Sequence, residues 1–147
     1  RHSLHHSNPN LLACAAIDGL YVWDTSTSTV VACRDETQPK DKRHDGEVLC
    51  LCWNTDGSTL LSGGRDANVL VWDALSDFKW MEAIVGHKAP VLAVVFDPHT
   101  KRIATAGRDS TIKVWDGSSL EAGAWRSKRQ EDSRITCSLL SNLDGHR

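Results

Sequence analysis

The sequence shows no charge bias. Seventeen Lys and Arg stand against nineteen Asp and Glu, a formal net charge of -2 at pH 7. That balance excludes a general attraction to nucleic acid or to an anionic membrane. Long hydrophobic runs are also missing: the longest, Leu11–Ile17, is far too short to span a bilayer. The opening RHSLHHSNPN has no apolar core segment, so no signal-peptide pattern is expected. Among the five cysteines there is no CxxC pair, and an odd count argues against a closed disulfide framework. Cys14, Cys33, Cys50 and Cys52 lie in apolar runs and Cys137 in a shorter one. The expectation is buried free thiols in a reducing compartment. Cys50 and Cys52, two apart, share a strand face and read as core, since no ligands of metal-site spacing accompany them. Helical periodicity is absent; the one candidate, Ser119–Arg129, has no apolar stripe.

What the chain does contain is repetition. With 147 residues, 40% of them apolar, it can build a core. Arg102–Asp116 (RIATAGRDSTIKVWD) has a near-copy at Thr59–Asp73 (TLLSGGRDANVLVWD) and a weaker one at Asn10–Asp24 (NLLACAAIDGLYVWD). Around these, β-branched and apolar runs bounded by turn residues predict short strands. They fall near Leu11–Ala16, Leu20–Asp24, Thr29–Cys33, Val48–Trp53, Thr59–Ser62, Val69–Asp73, Phe78–Val85, Val91–Phe96, Arg102–Ala106, Thr111–Asp116 and Ile135–Leu140. A first strand is expected within HSLHHS near the start. Asn54–Ser58, Gly63–Asn68, Asp97–Lys101 and Gly107–Ser110 read as turns. The charged Arg34–Arg43 and the polar Gly117–Ser133 read as loops. Trp72 to Trp115 and His44 to His87 are both 43 residues. A period near 40–45 with four short strands per unit indicates a propeller blade.

One constellation imitates catalysis. His44, Ser62 and Asp66 contain the ingredients of a hydrolase triad, as do His87, Thr105 and Asp109. The set recurs at constant offsets, with His eighteen before the hydroxyl and the acid four after it. A catalytic centre is built once, and no nucleophile elbow accompanies this one, so the expected role is structural. His2, His5 and His6 invite a metal reading, but adjacent His5 and His6 point to opposite strand faces, and a solvated strand is expected. Arg126, Lys128 and Arg129, followed at once by Glu131 and Asp132, read as a solvated loop.

Gly86-His87, Asp97-Pro98, Gly107-Arg108-Asp109 and Trp115-Asp116, with His44, Asp56-Gly57, Gly64-Arg65-Asp66 and Trp72-Asp73, resemble the WD-repeat family of β-propellers. The resemblance covers nearly the whole chain. It implies an all-β segment of three four-stranded antiparallel blades, near 1–34, 44–85 and 87–143, with residues 144–147 opening a further repeat. Three blades do not close a ring by themselves, so a piece of a larger propeller is expected; the alternatives are self-assembly of short chains into a closed ring and an open solenoid-like stack.

The resemblance further implies hydrogen-bonded tetrads, Asp66–His44–Ser62–Trp72 and Asp109–His87–Thr105–Trp115. The first unit departs from this pattern. Cys14 stands at the hydroxyl position and Asp18 lies only five residues before Trp23, so a tighter turn and a less stable blade are expected.

The family binds proteins or peptides most often at the end carrying the turns between the second and third strands of each sheet and the connections from the fourth strand to the next sheet. The matching residues are Asp45, Glu47, Arg65, Lys88 and Arg108, with Pro90 equivalent to Glu47. Arg65 and Arg108 together could hold a carboxylate or phosphate. Arg two residues after Trp-Asp, common in propellers serving cullin-type ubiquitin ligases, is absent; Ser26, Leu75 and Ser118 stand there.

The expected function is thus a non-catalytic interaction scaffold in the cytoplasm or nucleus. It needs no cofactor, and its partners are other proteins and the remaining blades of the propeller. The alternatives are a propeller associated with nucleic acid or phosphoinositide membrane, and a non-catalytic domain of a multidomain enzyme.

Overall fold

A computed structural model of the chain describes residues 2–4, 10–34, 39, 43–75, 77–120 and 139–144. Twelve strands are described. The first sheet contains β1 (His2–Leu4), β2 (Leu11–Ala15), β3 (Leu20–Asp24) and β4 (Thr29–Arg34). The second contains β5 (Val48–Trp53), β6 (Thr59–Gly64), β7 (Asn68–Asp73) and β8 (Lys79–Val85). The third contains β9 (Val91–Asp97), β10 (Arg102–Gly107), β11 (Thr111–Asp116) and β12 (Leu139–Asp144). Each is an antiparallel meander in which sequence neighbours pair.

The sequence pattern explains the stacking. In β6 all six residues are buried, and in β7 five of six. Because side chains alternate across a strand, Leu60 and Leu61 face opposite ways. Leu60, Leu70, Trp72, Trp53 and Phe78 meet Ala13, Leu20, Val22 and Ala32 of the first sheet. Leu61, Val69, Val71, Ile84 and Cys50 meet Val91, Val94, Ile103 and Trp115 of the third. A sheet covered on both faces needs the continuous apolar runs that the second unit has. Burying each Leu is worth about 1.5–3 kcal/mol relative to leaving it exposed. Among the described residues the outer sheets each keep one face uncovered: Trp23 is 39% exposed at one end of the stack and Val95 57% at the other. The three sheets do not close into a ring.

Several boundaries differ from expectation. β6 and β10 run through Gly64 and Gly107, because both glycines still pair with the strand before them, Gly64 with Val48 and Gly107 with Val91. Lys79, not Phe78, opens β8. Phe78 has φ 51° and turns inward to meet Trp53 edge-on at 5.8 Å. The last strand is Leu139–Asp144 rather than Ile135–Leu140. It pairs with β11 from Thr111 to Trp115 and ends just before Gly145-His146, as β8 ends just before Gly86-His87. Register, not apolar content, sets its position; residues 135–138 lie outside the described residues. Of Ser119–Arg129, only a 3-10 turn, Ser118–Leu120, is described. The Arg34–Arg43 loop, apart from residues 34, 39 and 43, also lies outside the described residues.

Each repeat ties its loops in the same way. The Asp of every Trp-Asp pair accepts a hydrogen bond from the N–H two residues on: Asp24 from Ser26 (2.9 Å), Asp73 from Leu75 (3.0 Å) and Asp116 from Ser118 (3.0 Å). This local turn is what Asp at that position supplies. At the opposite end of the sheets, hereafter the upper end, the N–H groups of Arg65 and Arg108 donate to the carbonyls of Glu47 and Pro90, both at 2.9 Å.

Candidate functional site

The second and third sheets each contain a buried chain of polar side chains. Trp72 on β7 donates its indole N–H to Ser62 Oγ on β6 at 2.8 Å. Ser62 Oγ lies 2.8 Å from His44 Nε2, and His44 Nδ1 lies 3.0 Å from Asp66 Oδ1. In the third sheet Trp115 donates to Thr105 Oγ1 at 3.0 Å. Thr105 Oγ1 is 2.7 Å from His87 Nε2, and His87 Nδ1 is 2.9 Å from Asp109 Oδ2. One proton arrangement satisfies every member: the carboxylate accepts from Nδ1–H, and Nε2 accepts from the hydroxyl, which accepts in turn from the indole. Ser62, Thr105, His44 and His87 are all buried.

The glycines beside the histidines are required by this packing. A Cβ on Gly107 would stand 2.6 Å from His87 Nδ1 and 2.8 Å from Asp109 Oδ1. Gly64 has the same crowding against His44 and Asp66.

Each aspartate accepts further hydrogen bonds, three donors in all at Asp66 and four at Asp109. Asp66 also accepts from the N–H groups of Asp45 (3.0 Å) and Asn68 (3.2 Å). Asp109 accepts from the N–H groups of Lys88 (2.9 Å) and Thr111 (3.1 Å) and from the Thr111 hydroxyl (2.7 Å). Burial alone would raise both carboxyl pKa values. For Asp66 the His44 contact and the two N–H groups outweigh it; for Asp109 the N–H of Lys88, the Thr111 hydroxyl and His87 do. Both stay below the usual carboxylate range. Chemically, such a chain holds its hydroxyl between two partners. The oxygen accepts from an indole and donates to an imidazole inside the sheet, where Ser62 and Thr105 are buried.

The first sheet is wired differently. Cys14 pairs in register with Tyr21, as Ser62 pairs with Leu70. Asp18 accepts from the Tyr21 hydroxyl at 2.7 Å. The turn is one residue shorter: Ala15 pairs with Leu20, whereas Gly63 pairs with Val69 and Ala106 with Ile112. Trp23 and Cys14, with Leu12, Asp24, Thr25 and Ser28, line an open-sided cavity of about 430 Å³.

At the upper end, Arg65 is ion-paired with Glu47 at 3.0 Å. Arg108, Lys88 and Asp45 are exposed. Neither the Arg65–Glu47 pair nor the Tyr21–Asp18 bond is among the expectations above; the eighteen-residue separation of Glu47 and Arg65, equal to that of His44 and Ser62, is the signal that points to the first. At the lower end Leu120, buried in the core of the second and third sheets, offers its carbonyl to Thr59 Oγ1 (2.8 Å) and Asn54 Nδ2 (3.3 Å). No sequence pattern pointed to this inter-sheet link.

Cys14, Cys33, Cys50 and Cys52 are free thiols, Cys50 buried and the others half-buried. Burial raises the Cys52 thiol pKa. Cys137, His5, His6 and the Arg126–Arg129 cluster lie outside the described residues. Among those described, no group of three or more potential metal ligands gathers, and no helix is long and apolar enough to cross a membrane.

Repeated four-stranded sheets whose third strand ends in Trp-Asp, two of them preceded by His44 or Gly86-His87, define a class, the WD-repeat propellers. The sequence profile of the WD domain, G-beta repeat family matches residues 38–73 and 79–116, half of the chain, and the chain belongs to that family. It is 43% identical over 56 residues to WD and tetratricopeptide repeats protein 1 of Mus musculus, covering 38% of this chain and 8% of that protein. Protein HIR1 of Candida albicans is 36% identical over 58 residues, 40% of this chain and 6% of that one. The solved structure of RRP9 WD40 repeats superposes with a TM-score of 0.77 at 22% identity, over 99% of this chain and 38% of that one. The chain thus spans under a tenth of the length of these curated relatives, and the structural likeness concerns the fold.

Proposed function

We propose that the chain is a segment of a larger propeller and serves as a non-catalytic scaffold that binds partner proteins or peptides through its upper-end loops. The observation supporting this reading is that both triad-like sets are consumed internally. His44, Ser62 and Asp66 bond to one another and to Trp72, and His87, Thr105 and Asp109 to one another and to Trp115. What remains for recognition is the rim these networks hold still: Asp45, Glu47, Arg65, Lys88 and Arg108. The blades are assigned near 1–34, 44–85 and 87–143, with residues 144–147 opening a further repeat. The uncovered Trp23 and Val95 faces are assigned to neighbouring blades. The free thiols among the described residues and the near-neutral net charge of -2 fit a cytoplasmic or nuclear protein binding other proteins, with no cofactor.

Site-specific photo-crosslinking tests this reading. A crosslinking side chain placed at Asp45, exposed on the upper end, should capture protein partners that one placed at His99, on the lower end, does not. Equal capture from both positions, or none from Asp45, would contradict it.

A further inference from the structure

We infer that the upper end of the third sheet, at Lys88 and Arg108, is an anion site for an acidic segment of a partner polypeptide. This rests on the reading that the upper end binds proteins, and it adds which residues select the partner and what chemistry they select.

The inference comes from comparing two repeats that share a backbone but not a charge. In the second, Asp45 and Glu47 stand against Arg65, one net negative charge, and Glu47 holds the Arg65 guanidinium at 3.0 Å. In the third, the same positions are Lys88, Pro90 and Arg108, two positive charges with no exposed acid among the three. The backbone is unchanged: the Arg108 N–H donates to Pro90 exactly as far, 2.9 Å, as the Arg65 N–H donates to Glu47. The residue that neutralises the arginine has been replaced by one with no side-chain acceptor.

Asp109 does not substitute for it. Its oxygens receive His87, the Lys88 N–H, and the N–H and hydroxyl of Thr111, and its side chain is 9% exposed. Among the described residues, no carboxylate is ion-paired with Arg108 or Lys88. The bond from the Lys88 N–H to Asp109 fixes the two cationic residues on adjoining loops. Their side chains are exposed, so a bound carboxylate or phosphate would gain charge-assisted hydrogen bonds with little to displace.

A second observation gives the partner an apolar element. The first-sheet residue equivalent to Arg65 and Arg108 is Ile17, which is 80% exposed, more than any other large hydrophobic side chain described. The Val48 N–H donates to the Ala16 carbonyl at 3.3 Å, which ties that turn to the start of β5 beside Glu47. The three turn tips therefore offer, in sheet order, an apolar side chain, a neutralised arginine and an unneutralised one. A partner segment with an acidic residue and an apolar residue some way along it matches that order.

The test is a peptide array probed with the 147-residue chain. The peptides are graded from strongly acidic to strongly basic, half of each class carrying one Leu, with a phosphoserine series beside the glutamate series. Acidic peptides should be enriched, those with Leu most. For the best binder, Arg108→Ala, Lys88→Ala and Pro90→Glu should each weaken binding roughly tenfold, while Arg102→Ala, which removes an exposed cation at the lower end of β10, leaves it unchanged. Pro90→Glu supplies the missing internal acceptor; a thermal melt checks its folding, and Arg108→Ala does not depend on it. Binding by the glutamate series identifies a carboxylate, and binding by the phosphoserine series alone a phosphate. Enrichment of neutral or basic peptides, no binding at all, or acidic binding that survives Arg108→Ala would overturn the inference. If partners still crosslink at Asp45 while the array shows no acidic preference, only the charge assignment fails and the upper-end reading stands.

Discussion

At the scale of single residues, each polar side chain in the buried networks exists to satisfy another. The indole N–H of Trp115 has no water to turn to, so Thr105 must accept from it, and a buried donor left unmet costs about 1–3 kcal/mol. The aspartates end these chains and carry a pH dependence. Their carboxyls titrate below the ordinary value of 3.8 in the folded protein. A depressed carboxyl pKa contributes stability that is complete above its unfolded value and is lost as pH falls through the folded one. Stability should therefore hold down to about pH 4 and then fall as the pH is lowered further. Urea unfolding at a series of pH values should show that slope flattened in Asp109→Asn, and an unchanged slope would contradict the assignment. The tetrad residue types were legible in the sequence because they recur at fixed offsets. The Thr111 hydroxyl on Asp109 and the Tyr21 bond to Asp18 were not, because each occurs in one repeat alone and leaves no period to read.

At the scale of strands and turns, the hairpins β6–β7 and β10–β11 are compact because glycine lets histidine and aspartate close over the backbone. Gly107→Ala should push a methyl group against His87 Nδ1 and Asp109 Oδ1 and destabilise the chain by about 1–3 kcal/mol. The His87 imidazole resonances should shift as the ring is displaced. A neutral substitution with unmoved resonances would contradict the crowding. Strand identity was readable from apolar runs and turn residues, since a two-faced sheet demands Leu60-Leu61 and Val69-Leu70-Val71 in succession. Strand ends were less readable. Gly63-Gly64 reads as a turn by composition yet pairs with Cys50 and Val48, because glycine permits a turn without requiring one. β12 had to be placed by its register with β11, which no local pattern reveals. The link from Asn54 and Thr59 to the Leu120 carbonyl spans more than sixty residues and belongs to the packing of two sheets.

At the scale of the whole molecule, three sheets of one design face in one direction, each covering the Trp-bearing face of the next. That order buries Trp72 and Trp115 and leaves Trp23 partly open. Repetition made the architecture readable from the sequence, while the charge difference between Glu47 and Pro90 became meaningful only when both were seen bonded to equivalent arginines. The molecule depends throughout on the buried Asp109–His87–Thr105–Trp115 chain, which ties the loop before β9 to the middle of its sheet and so fixes the rim assigned to recognition. A double-mutant cycle measures that dependence directly. Thr105→Val and Trp115→Phe are made singly and together in the 147-residue chain, and unfolding is followed in urea. The double variant should lose less stability than the two singles summed, with a coupling of about 1 kcal/mol or more. Strictly additive losses would mean that the two side chains do not act through each other, and would contradict the network on which this account of the fold and its binding rim depends.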